Sequence, residues 1–218
     1  MASQPASKGP ALTNRPASNK RIFRLPVKKI HDGEDVQTWL TTRAYVDIMT
    51  FLPQLNIAMF PVDGASSTTP GPSRTVSATE ITSLSVLSLQ VLIRKVESYI
   101  KEAPPDPGPT RFGNKSFRTW YGLVESRLPD LLSEHLPQSV IDLEEDSDSE
   151  VSAATELKSY LLGSFGSSER LDYGTGHELS FLAFIGGIWK LGGFPSSEAR
   201  SEERQIVLGL IAPYFNCS

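Results

Sequence analysis

In the apolar stretches of this chain the large side chains return every three or four residues, and none makes a convincing alternating strand. The first spacing builds one buried face of a helix; the second would build a half-buried strand. One stripe runs through Val36, Trp39, Leu40, Ala44, Tyr45, Ile48, Met49 and Leu52, behind the acidic turn Asp32-Gly33-Glu34-Asp35, and is predicted to end or kink at Pro53. Trp39 and Tyr45 read as core. A second stripe opens at Thr79-Glu80 and carries Ile81, Leu84, Leu87, Val91, Leu92, Val96 and Tyr99 or Ile100, with Ser83, Ser85 and Ser88 diluting one face. A third, capped by Asn114, carries Phe117, Trp120, Tyr121, Val124 and Leu128, then continues in short pieces broken at Pro129 and Pro137. Leu157, Tyr160, Leu161 and Phe165 make a helix ending at Gly163 or Gly166. An apolar run from Leu179 to Trp189 closes at Gly192-Gly193, and a last helix starts after Pro195 with Glu198, Glu202 and Glu203. With no repeat and no strand pattern, the predicted class is all-α and multi-helix.

The punctuation is as informative as the stripes. Residues 61–77 are Gly-, Ser-, Thr- and Pro-rich and read as a loop, and Pro104-Pro105-Asp106-Pro107-Gly108-Pro109 stops a helix hard. Residues 1–20 carry almost no large apolar side chain and are expected to be a disordered arm, with an ordered helical domain from 21 to 218. Asp142 to Glu150, DLEEDSDSE, is expected to be an exposed acidic loop, with Ser147 and Ser149 as sites for an acidophilic kinase.

Composition closes several functional classes. A net charge of −4 leaves no basic footprint for nucleic acid. One cysteine, Cys217, rules out an internal disulfide and fits a reducing compartment. Three scattered histidines make no zinc constellation, so no metal site of the chain's own is expected. No apolar run is long enough to span a membrane, and the N-terminus lacks a signal peptide's apolar region.

Arg170 to Phe184, RLDYGTGHELSFLAF, concentrates residues with no evident scaffold duty. Gly174 and Gly176 are free to take positive φ and flank Thr175; His177 and Glu178 follow, and then the apolar helix begins. Free N–H groups at such a helix start suit an anion, although an ordinary helix start capped by Thr175 satisfies the same residues. No Gly-Lys-Ser/Thr follows, so it is not a Walker A loop, and the second histidine of a zincin is missing. Upstream, RFGNKSFRTW at Arg111 to Trp120 sets Arg111 and Arg118 beside aromatics, either as a partner surface or as solvated arginines on an amphipathic helix.

RLDYGTGHE with Phe181 and Phe184 behind it, together with RFGNKSFRTW, resembles the signature of the phosphotyrosyl phosphatase activator family, the activators of type 2A protein phosphatases. The resemblance covers roughly Phe23 to Phe215. It implies an all-helical fold with core, linker and lid regions, and a protein that binds the phosphatase catalytic subunit and supports its maturation. It also implies peptidyl-prolyl cis-trans isomerase activity on Pro-containing peptide segments, and ATP with Mg²⁺ in a site shared with the phosphatase. Arg170, Thr175 and Gly176 would contact the nucleotide. Arg111, Phe112, Gly113, Asn114, Asp172, Tyr173, Gly174, His177 and Glu178 would shape the pocket or meet the partner. No catalytic residue is singled out, because prolyl rotation requires no covalent step and its barrier of about 18–20 kcal/mol yields to a desolvating pocket. The implied location is the cytoplasm, or cytoplasm and nucleus. Relatives continue past Ala212-Pro213-Tyr214-Phe215 into a Gly-Val-Trp-Gly-Leu-Asp-Asp block, so the expected fold is incomplete at its C-terminus. The alternatives are a non-catalytic phosphatase-binding protein or an inactive truncated product.

Overall fold

The computed structural model describes residues 11–14, 21–60, 81–108, 113–195 and 200–217, and every regular element among them is helical. Helix α7, Thr175–Lys190, is its axis. Phe181, Phe184, Ile185, Gly186, Ile188 and Trp189 are all buried there, because the sequence is apolar around most of the helix. Phe181, Phe184, Ile185 and Ile188, each at most 2% exposed, contribute about 1.5–3 kcal/mol apiece relative to solvent.

α6, Ala153–Gly163, lies along α7, and Gly187 permits the approach: a Cβ there would stand 2.8 Å from Leu157 Cδ2. α4, Ser116–His135, packs on α6, and α3, Leu84–Ser98, packs on α4. α5, Gln138–Ile141, is a single turn. A last run, α8 (Ser201–Ile206), a π-helical stretch Val207–Ile211 and α9 (Ala212–Cys217), crosses α2 (Arg43–Ala58) and α3. Gly209 admits α3 there, since its Cβ would lie 2.5 Å from Val86 Cγ1.

Several sequence readings are corrected. The stripe from Val36 to Leu52 is two helices, α1 (Gly33–Leu40) and α2 (Arg43–Ala58). Thr42 is extended between them and its hydroxyl accepts from the Tyr45 N–H at 3.2 Å, so capping chemistry overrides the periodicity. Pro53 does not end α2, and Pro129 does not break α4. Both prolines are exposed, so the N–H each lacks falls on the solvent side.

The buried face of α2 is Asp47, Phe51, Gln54, Leu55 and Ala58, while Val36, Leu40, Met49 and Leu52 are exposed. Trp39 and Tyr45 are half-buried and meet edge to face at 6.0 Å. Asp47 is tolerated inside because Lys190 and Arg43 bond it. Burial raises its pKa, but those two bonds and charges outweigh burial and hold the carboxyl below its usual range.

In α3 the buried stripe is Val86, Leu89, Leu92, Ile93 and Val96, with Leu84 exposed. The serines do not dilute a wet face. Ser85 donates to the Gly193 carbonyl at 2.8 Å and Ser88 to that of His135 at 3.0 Å, where small side chains let neighbouring backbone come close.

Residues 11–14 and the acidic loop both contact the helical body, and most side chains of the loop are exposed as expected. Inside the stretch read as a disordered arm, Leu12 is buried. In the acidic loop, Asp146 N–H donates to Arg21 O and Glu150 N–H to Phe23 O, both at 3.0 Å, and the Ser149 hydroxyl donates to Arg21 O at 3.0 Å. Ser147 is exposed. The 61–77 loop, Thr79-Glu80, Arg111, Phe112, Glu198 and the Cys217 side chain lie outside the described residues; the last helix is described from Ser201.

Candidate functional site

The site is built on the turn between α6 and α7. Gly166 takes φ +113°, and a Cβ on it would stand 2.9 Å from Asp172 O. That crowding exists because the turn closes on itself. Ser167 N–H donates to Asp172 O at 3.1 Å and Leu171 N–H to Ser167 O at 2.8 Å. Leu171 sits at φ +56°, a left-handed conformation that costs a leucine about 1–2 kcal/mol.

Two contacts from the preceding block hold it there. Arg118 of α4 donates to the carbonyls of Ser168 at 2.8 Å and Glu169 at 3.1 Å. Gly113, at φ +80°, backs onto Leu171: a Cβ on it would fall 2.7 Å from Leu171 Cβ and 2.8 Å from Leu171 O. Asn114 then fixes the start of α4. Its Oδ1 accepts from the N–H of Ser116 at 3.0 Å and of Asp106 at 3.1 Å, and its Nδ2 donates to Asp106 O at 3.1 Å.

Between these blocks lies a cavity of about 350 Å³. Ile100, Ala103, Pro105, Phe117, Trp120, Phe165 and Leu171 give it apolar walls; Asn114, Ser116, Asp172 and Tyr173 supply its polar groups. Trp120 is fixed by its indole N–H, which donates to Val96 O at 3.2 Å, and by an edge contact with Phe165 at 5.5 Å. Tyr173 is held by a relay. Tyr214 OH donates to Ser164 O at 2.7 Å, which leaves the 2.8 Å contact between the two hydroxyls to be donated by Tyr173. Tyr214 is itself stacked on Phe181 at 3.9 Å, and burial pushes its phenol pKa up.

Charge sits at the rim. Arg170 Nε bonds Asp172 Oδ2 at 2.7 Å and holds that carboxyl below its usual range. His177 Nδ1 lies 2.7 Å from Gly163 O, so it carries the proton and donates. Its Nε2 faces Asp172 Oδ1 at 3.9 Å, and its ring stacks on Tyr173.

The structure therefore brings Gly113, Asn114, Asp172, Tyr173 and His177 together, with Arg170 tied to Asp172. The remaining predicted residues diverge around the start of α7. Thr175 and Glu178 line a second hollow with Leu52, Phe181 and Tyr214, while Gly176 lines a larger groove along α7. Gly174 precedes the helix at φ −172°, ordinary extended backbone, and Gly176 lies within α7, so neither takes the positive φ open to glycine. Thr175 is the first helical residue, not the cap. No side chain caps this helix, which leaves its first N–H groups to outside partners. Arg111 and Phe112 lie outside the described residues.

Sequence reasoning missed Arg118 as a clamp, Leu171 as the strained residue and Tyr214 as a support. The signal for Leu171 was Gly113, far from it in sequence, whose missing Cβ leaves room for it; Gly166 does the same for the Asp172 carbonyl. Tyr214 carries no local signal.

The phosphotyrosyl phosphate activator (PTPA) protein family matches residues 26–218. "Serine/threonine-protein phosphatase 2A activator 1" of Aspergillus fumigatus is 55% identical over 193 residues, 88% of this chain and 41% of that protein. The protein of the same name from Emericella nidulans is 50% identical, over 88% of this chain and 44% of its own length. A crystal structure of the PP2A phosphatase activator Ypa1 PTPA1 superimposes with a TM-score of 0.67 at 32% identity, covering 90% of this chain and 55% of that one. The chain thus spans about two fifths of the length of these curated relatives.

Proposed function

The chain belongs to the phosphotyrosyl phosphate activator (PTPA) family, and from that premise we propose that it binds a type 2A serine/threonine phosphatase and promotes its active form through the surface around Asn114, Asp172 and Tyr173. The observation that carries this reading is the contact of Gly113 with Leu171. It joins the two segments that bear the family signature and shapes one pocket between them. An assembly that holds a leucine in a left-handed conformation, with Gly113 against it and Gly166 admitting the neighbouring Asp172 carbonyl, is a costly local structure of the kind found at functional sites.

The proposal extends to prolyl isomerisation. An apolar cavity of 350 Å³, walled by Phe117, Trp120 and Phe165, offers room for a proline ring and its neighbours, and strips water from the amide. A twisted amide loses resonance and has less charge on its oxygen, so a dry apolar wall favours it over the planar form. Rotation needs no nucleophile, and none is assigned. A non-catalytic phosphatase-binding protein remains the second reading, with the same surface in use.

ATP with Mg²⁺ is also part of the proposal. The uncapped N-terminus of α7 presents N–H groups at Thr175 and Gly176, and the exposed Arg170 guanidinium lies near the same turn, so the donor set fits a phosphate. Among the described residues no three His, Cys, Asp or Glu side chains converge as a metal site. A magnesium ion would therefore depend on the phosphate oxygens, with Asp172 or Glu178 as the carboxylates within the motif.

The test measures phosphatase activation and Pro-peptide turnover side by side, with and without Mg-ATP, using Gly176→Trp as a control. No atom lies within 4 Å of a Cβ at Gly176, so the bulk of a tryptophan projects into the groove and not into the core. Nucleotide-dependent activation, lost in the variant, is the expected result. A cooperatively folded chain that neither binds nor activates the phosphatase would overturn the reading. Activation without peptide turnover would leave the non-catalytic alternative.

A further inference from the structure

Leu12 is the only Leu, Ile, Val or Phe in the first 20 residues, and it is 6% exposed. Its neighbours Ala11, Thr13 and Asn14 are exposed. Its backbone is read on both sides by buried side chains from the folded body. Leu12 N–H donates to Gln54 Oε1 of α2 at 2.7 Å, and Trp189 Nε1 of α7 donates to Leu12 O at 2.8 Å. Gln54 is in turn oriented by donating through Nε2 to Glu203 Oε1 of α8 at 3.0 Å. Gln54, Glu203 and Trp189 are all buried. Without the segment, Gln54 Oε1 and Trp189 Nε1 would lose these partners and the surface around them would be opened to solvent.

The contacts have the form of peptide recognition: one buried apolar side chain, one amide and one carbonyl matched by side chains of the body, and flanking residues exposed. Charge agrees with it. The first 20 residues carry Lys8, Arg15 and Lys20 and no acidic residue, on a chain of net charge −4. Leu12 also lines the groove of about 810 Å³ that follows α7 from Gly176 to Lys190, a span of roughly 21 Å at 1.5 Å per residue. Its bond to Trp189 places it toward the C-terminal end of α7, opposite Gly176.

We propose that the hole framed by Gln54, Trp189 and Glu203 is a docking site for an extended segment bearing one large aliphatic side chain, and that residues 11–14 of this chain are its resident occupant. Seated there, the segment fastens α2 to α7, with Glu203 of α8 orienting Gln54 behind it, and forms part of the wall of the groove along α7. The contacts that hold Leu12, from Gln54 and Trp189, use neither signature block, although the groove that the segment helps to wall also reaches Gly176.

The test uses the whole chain and a synthetic peptide spanning residues 9–15. In the unmodified chain the Leu12 amide should exchange with solvent at least about a hundredfold slower than that of Thr13, as a buried bonded N–H does. The peptide should bind a Leu12→Asp chain and be excluded from the unmodified one. The same peptide with Leu→Asp should bind the variant at least about tenfold more weakly. If Leu12→Asp does not fold, Leu12→Ala, which removes most of the side chain that fills the hole and so loosens the resident segment, takes its place in the same titration. Rapid exchange of the Leu12 amide, or failure of the peptide to bind any folded Leu12 variant, would overturn the proposal.

Discussion

Two pairs of glycines frame the candidate site, and they behave oppositely. Gly174 and Gly176, the conspicuous pair in the sequence, adopt backbone conformations that any residue adopts, and a Cβ on either would meet nothing within 4 Å. Gly113 and Gly166, which look incidental, carry positive φ and have no room for a Cβ. The difference is tertiary. Gly113 lies where a segment distant in sequence presses on Leu171, and Gly166 where the turn closes on Asp172 O under Phe117; the first pair lies at a helix start with open space outside it. Glycine at the open start leaves backbone N–H groups accessible, whereas glycine at the crowded turns makes the fold of the site possible.

Substitutions should separate the two pairs cleanly. Gly166→Ala is expected to be the most damaging, losing about 1–3 kcal/mol from backbone conformation alone, with the clash against Asp172 O added. Gly113→Ala should follow in the same direction, and both are read by urea unfolding. An effect at either position no larger than at a surface site would break the comparison. Tyr214→Phe comes next. It keeps the stack on Phe181 but removes the donor to Ser164 O and the acceptor for Tyr173, at about 0.5–1.5 kcal/mol. Gly176→Ala should have the opposite sign, stabilising α7 by about 0.5–1 kcal/mol.

The smallest effect concerns pH. Arg170 holds Asp172 below the usual carboxylate range, so the pair contributes above that range and its contribution is lost as pH falls through the lowered value. Arg170→Gln should bring the Asp172 titration, followed by carboxyl NMR shifts, back up toward the ordinary value. An unchanged titration would show that the pair does not persist in solution.

Much of this was legible in the sequence. The α-helical class, the buried character of α7, the end of α6 at Gly163 (the first of the two ends the glycines offered) and the turn at Gly192 all follow from spacing and glycine placement. Gly192 is indeed left-handed, at φ +77°. What failed shares one cause: the outcome depended on partners distant in sequence. The face that α2 buries is set by Asp47 meeting Lys190 and by Gln54 meeting Leu12 and Glu203, so polar residues went in and Met49 stayed out. Ser85 and Ser88 resemble dilution until Gly193 and His135 offer carbonyls. Within the site, the motif residues were visible but their grouping was not. Asp172 and Tyr173 face the pocket with Asn114, while Thr175, Glu178 and Gly176 turn to other surfaces. A helix start distributes consecutive side chains around its axis, so adjacency in a motif does not imply a shared pocket.

The most direct measurement is binding of a type 2A phosphatase catalytic subunit, by calorimetry, to the unmodified chain and to Tyr173→Ala and Gly176→Ala. Tyr173 is 42% exposed on the rim of the pocket, so its removal takes away contact surface without emptying the core. The account predicts at least about a tenfold loss of affinity for Tyr173→Ala and about twofold or less for Gly176→Ala. Equal affinities for Tyr173→Ala and the unmodified chain, with the loss at Gly176→Ala instead, would contradict the assignment of the partner surface to the pocket around Asn114, Asp172 and Tyr173.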